Sequence, residues 1–101
     1  MSGIHSESVD RLFKTFLNLK SIDECYEYFE DICTIKEVLD MAQRLDAAVM
    51  LDEGANYQRI AADIGISTAT IGRVSKCLKY GSGGYRKAID RLREEEKQDE
   101  K

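Results

Sequence analysis

Apolar positions recur along the first half of the chain with the period of an α-helix. Val9, Leu12, Phe13, Phe16 and Leu17 fall at i, i+3, i+4, i+7 and i+8, which predicts one apolar stripe on a first helix. Ile22, Cys25, Tyr26, Phe29 and Ile32 repeat the pattern, and Ser21 with Glu24 three residues on marks the start of that second helix. Thr34 and Glu37 form another such box. They open a third helix carrying Ile35, Val38, Leu39, Ala42, Leu45 and Val49, which runs to about Asp52 and stops at Gly54. A stripe of this kind is a core or a dimer interface before it is a binding groove.

The pattern then shortens. Asn56 caps a helix over Tyr57–Asp63, Gly65 turns the chain, and Ser67 caps a further helix from Thr68 to about Leu78. Gly81-Ser82-Gly83-Gly84 is a break, after which Tyr85, Ala88, Ile89 and Leu92 predict a last amphipathic helix ending in the Glu94-Glu95-Glu96 run. The expected fold is all-α with six helices. Its organisation is a flexible N-terminus at 1–7, a single helical domain at 8–93 and an acidic tail at 94–101, disordered beyond the Glu94–Glu96 run. Within that domain the chain divides at 8–55, 56–80 and 84–93.

The middle of these segments satisfies the steric demands of a helix-turn-helix. Ile60 and Ile64 anchor the first helix, Ala61 is small where the second helix crosses, and Gly65 takes a left-handed turn cheap only for glycine. Ile66 fills the space under the turn, and Ile71, Val74 and Leu78 form the buried face of the second helix. That leaves Ser67, Thr68, Ala69, Thr70, Arg73 and Lys76 at the outer face or leading end. Hydroxyls there can bond base edges or phosphates, and Ala69 and threonine methyls can touch a thymine methyl. Arg59, Lys76 and Lys79 suit phosphate contacts, and Gln58 lies beside them. Gly72 is out of place inside a helix, where glycine costs about 1 kcal/mol against alanine. It either allows close approach to DNA or marks a loosely formed helix.

The charge distribution supports this placement. The net charge of −4 hides a block at residues 56–93 with 2 acidic and 8 basic side chains. Residues 1–55 hold 12 acidic and 5 basic groups, and residues 94–101 hold 5 and 2. The field at a surface depends on charge within about one Debye length rather than on the total.

Other chemistry is scarce. Cys25, Cys33 and Cys77 are odd in number and form no CxxC pair, so buried reduced thiols are expected rather than disulfides or zinc. The one histidine, His5, is expected to be an exposed surface residue. With no phosphate loop, metal-ligand cluster or nucleophile–base pair, no cofactor and no catalysis are expected. No apolar run reaches the roughly 18 residues of a membrane span, and Met1–Glu7 lacks a secretion-signal layout, so a cytoplasmic location is expected. The competing function is a helical protein-interaction module that does not bind DNA.

Over about residues 8–93 the chain resembles the Trp repressor family, in its YerC/YecD branch. The resemblance rests on Thr34-Ile-Lys-Glu37, Gln43-Arg44, Ile66-Ser-Thr-Ala-Thr-Ile-Gly-Arg73 and Leu78-Lys79. It implies an intertwined homodimer built from the helices of 8–55, and a palindromic duplex operator read by two helix-turn-helix heads of a repressor. It also implies a small-molecule effector such as an amino acid. Arg44 and Arg73 match the two arginines around that ligand, with Thr34, Thr70 and Cys77 at neighbouring positions. Tryptophan itself fits poorly, because Val74 replaces a glycine, Cys77 replaces a serine and the link before the reading head is one residue shorter. The bland alternative for Arg44 is an ion pair with Asp40 at i−4.

Overall fold

A computed structural model of the chain describes residues 3–99. Among them the chain forms six helices and no strand: α1 Glu7–Leu17, α2 Ile22–Ile32, α3 Ile35–Asp52, α4 Tyr57–Ile64, α5 Thr68–Tyr80 and α6 Gly84–Asp99. They divide between two compact units, Met1–Val38 and Leu39–Lys101. The division falls inside α3.

In the first unit, side-chain caps fix where each helix begins. The Ser6 hydroxyl accepts from the Val9 N–H at 3.1 Å and that of Ser21 from the Glu24 N–H at 3.1 Å. At α3 the box is reciprocal: Glu37 N–H donates to Thr34 Oγ1 at 3.1 Å, and Thr34 N–H to Glu37 Oε1 at 2.8 Å. Those bonds hold the Glu37 carboxyl below the usual carboxylate range. Phe16 joins α1 to α2, stacking on Phe29 at 5.1 Å and meeting Tyr28 edge-on at 5.8 Å. Thr15 and Tyr28 share a hydrogen bond at 2.7 Å.

Neither α1 nor α2 has a buried residue. Leu17 and Ile35 are 82% and 78% exposed, and Phe13, Ile22, Tyr26 and Ile32 are exposed as well.

The second unit holds the buried core. Ile60 of α4, Ile71 of α5 and Ile89 of α6 are fully buried against Ala47 and Ala48 of α3, with Val74 beside them. The two alanines leave room for three branched side chains to close over α3. Gly65 ends α4 at φ 82°, the left-handed value that the turn into α5 requires.

Asp52 ends α3, where a carboxylate opposes the partial negative charge of the helix C-terminus. Arg86 of α6 offsets this with a two-pronged bond, Nη1 to Oδ1 at 2.6 Å and Nη2 to Oδ2 at 2.9 Å. Arg93 bonds Asp52 Oδ2 too, and Arg86 Nη2 reaches Asp90 Oδ1 at 2.8 Å. Hydrogen bonds from Arg86, then Arg93, hold the Asp52 carboxyl far below its ordinary range, and those from Asp52, then Asp90, raise Arg86 above its own.

Three expectations are corrected. The tail beyond the Glu94–Glu96 run is helical as far as Asp99, where α6 ends; glutamate, lysine and glutamine are strong helix formers and no glycine or proline interrupts them. Residues 1, 2, 100 and 101 of the expected flexible ends lie outside the described residues. At the other end, Ser6 and Glu7 belong to the start of α1 and not to a flexible segment. None of the cysteines is buried: Cys25 and Cys33 are half-buried in a unit without a deep core, and Cys77 is exposed on α5.

The Asp52 cluster makes stability depend on pH in a defined direction. The folded carboxyl binds its proton less tightly than the unfolded one, so its contribution is complete above about pH 3.9 and fades as pH falls below that value. Asp52→Asn should lower the Tm at pH 7 and flatten the acid limb of Tm against pH. Thermal melts from pH 7 to pH 2 measure both; parallel acid limbs in the two proteins would remove Asp52 as the cause.

Candidate nucleic-acid interface and neighbouring cleft

The second unit presents α4 and α5 as a tight helical corner. Asn56 caps α4, its Oδ1 accepting from the Arg59 N–H at 2.8 Å. Ser67 caps α5, accepting from the Thr70 N–H at 3.1 Å, and its hydroxyl also meets that of Thr70 at 3.0 Å. The serine expected at the reading surface therefore has a structural duty as well.

Burial of Ile71, Val74 and Ser75, with Leu78 half-buried, fixes the orientation of α5. The opposite face carries Ala69, Arg73 and Lys76, all exposed, with Thr68 and Lys79 exposed beside them. Gln58 and Arg59 are exposed in the first turn of α4. Arg59 Nε lies 3.6 Å from Asp63 Oδ2, a solvent-exposed pair of little strength. Arg73, Lys76 and Lys79 make no ion pair among the described residues.

Beside this face lies a cleft of about 490 Å³, lined by Met41, Arg44, Thr70, Arg73, Val74, Cys77 and Tyr85. It brings together Arg44, Thr70, Arg73 and Cys77 of the expected ligand set. The fifth, Thr34, belongs to the first unit, where its side chain caps α3. Arg44 makes no ion pair among the described residues.

Residues 7–93 match the family model described as Trp repressor protein. The chain belongs to the Trp repressor family. It is 47% identical to the uncharacterized protein YerC of Bacillus subtilis (strain 168), over 92% of this chain and 89% of that protein. Its structure is similar to that of a TrpR-like protein from Eubacterium eligens, with a TM-score of 0.86 and 46% identity over 88% of this chain and 92% of the other. A Staphylococcus aureus structure provisionally named a Trp repressor matches with a TM-score of 0.85 and 38% identity, covering 89% of this chain and 90% of its own.

Within this family member, sequence reading passed over Met41 and Tyr85 as cleft residues, Ser75 as a buried polar one, and Tyr80 on the outer face. Tyr80 was findable, since it stands eleven residues after Ala69 and seven after Arg73, on the same helical stripe.

Gly72 is half-buried in an unbroken α5, so the expectation of a loose helix does not hold. A Cβ there would meet only the Tyr57 ring, at 4.0 Å, an ordinary contact distance. Gly72→Ala should therefore stabilise the fold by about 0.5–1 kcal/mol, the helix-propensity gain. Urea denaturation checks this; a loss of stability would reveal a steric role for the glycine.

Proposed function

We propose that this Trp repressor family member is a sequence-specific DNA-binding regulator of transcription, a repressor that acts as a homodimer through α4 and α5. The observation that carries the reading is the outer face of α5: Thr68, Ala69, Arg73 and Lys76 stand exposed, and neither cation is neutralised by a carboxylate among the described residues. Small and methyl-bearing residues at the leading end suit a major groove, and the cations behind them suit phosphates. Gln58, Arg59 and Lys79 add backbone contacts, and Ser67 and Thr70 present the leading end.

The exposed apolar side chains of the first unit, Phe13, Leu17, Ile22, Tyr26 and Ile35, support the second half of the reading. A second copy of the chain covers them. Pairing sets two α5 helices about 34 Å apart, so the operator is roughly palindromic. The cleft at Arg44 and Arg73 receives a small effector with an anionic group, such as an amino acid. Val74 and Cys77 oppose tryptophan, because a branched side chain narrows the space for an indole. The protein works in the cytoplasm, and no described helix is long and apolar enough to cross a membrane.

Duplexes selected from random DNA, with and without a panel of amino acids, test the assignment. Affinity for the selected duplex should fall steeply as salt rises, and Lys76→Ala should reduce that slope by about 0.9. Arg73→Ala should weaken binding, whereas Thr68→Ala should relax sequence preference at a cost of about 1–3 kcal/mol in discrimination. Absence of duplex affinity at low salt would refute DNA binding and leave the protein-interaction module. In sedimentation, Leu17→Glu should convert dimer to monomer; an unchanged dimer would refute the assigned interface.

A further inference from the structure

We infer that Tyr80 belongs to the DNA-contacting surface, its hydroxyl donating to a backbone phosphate beyond the bases that the start of α5 reads. The inference rests on the DNA-binding reading above and adds a contact to it. Ala69, Arg73, Lys76 and Tyr80 follow at i, i+4, i+7 and i+11, so the tyrosine continues the exposed stripe to the last residue of α5. Its side chain is 81% exposed and forms no hydrogen bond or ring contact among the described residues. An amphipathic side chain whose donor is free, in line with two cations unpaired among the described residues, suits a phosphate-lined groove wall.

The helix end holds it there. Gly81 N–H donates to the Cys77 carbonyl at 2.9 Å, and a Cβ at Gly81 would stand 2.4 Å from that oxygen. The turn after Tyr80 therefore closes tightly only on glycine, and the tyrosine is set at a fixed point along the groove. A duplex lying against Arg73 and Lys76 continues past this point, since α5 is about 20 Å long at 1.5 Å per residue.

Tyr80→Phe removes only the hydroxyl, at a site with no packing to lose. Binding to the selected duplex and to a random-sequence duplex of equal length, followed by anisotropy, should weaken by the same factor of about 3–10. The salt slope should stay at the wild-type value, because the phenol is uncharged, in contrast to Lys76→Ala. Wild-type affinity in Tyr80→Phe would overturn the contact while leaving the DNA-binding reading intact. A loss confined to the selected duplex would overturn a phosphate role. Failure of the wild-type protein to bind either duplex would refute both.

Discussion

Ile60, Ile71 and Ile89 come from three different helices, and each is wholly excluded from water against the alanine pair of α3. Most of what the second unit presents to solvent follows from that meeting. Once Ile71 and Val74 are committed inward, the helical period leaves Ala69, Arg73 and Lys76 no place but the outer face. Gly65 sets the turn that lets α5 reach this packing, and the Ser67 cap sets its first residue. The outer face of α5 is thus a consequence of the core.

The chain keeps its apolar and charged surfaces apart. The large apolar side chains left in water are concentrated in α1, α2 and the start of α3, while the basic surplus lies in residues 56–93. In the proposed dimer a second copy would cover the hydrophobic face by burial, at about 25 cal/mol per Å² of apolar area, with no need for charge. The basic face would hold a polyanion without burial. Acidic groups are most numerous outside the basic block. Asp52, the last residue of α3, is occupied by Arg86 and Arg93 and is held ionised by them, which also withdraws two of the basic block's cations from solvent partners. The count of eight basic residues therefore overstates what a duplex could meet, and the α5 cations matter more than the total.

Helix number and order were legible because periodicity, capping residues and breakers agree locally: the Thr34–Glu37 box and Gly65 act in the structure as their sequence signals predict. The end of α6 was not legible, because charge repulsion and helix propensity compete over Glu94–Glu96 and composition alone does not rank them. Burial in the first unit was not legible either. An apolar stripe says that a face seeks cover, but not whether its own chain supplies it. The cysteines failed for a related reason: thiols are buried on average, but Cys25 and Cys33 stand in a unit without a deep core and Cys77 on the exposed side of α5. On the outer face of α5, outward residues followed from inward ones, yet Tyr80 was missed because the predicted helix stopped at about Leu78, two residues short.

The cleft beside α5 joins these themes. Arg73 lies both on the outer stripe and in the lining, and Arg44 shares that lining without a carboxylate partner among the described residues. Two guanidinium groups facing one space repel each other, and an anion placed between them relieves the repulsion and gains charge-assisted hydrogen bonds. Such an anion would fix the rotamer of Arg73 and, through it, the charge that α5 offers to a duplex. If a duplex favours the same arrangement of that side chain, linkage requires that each ligand strengthen the other.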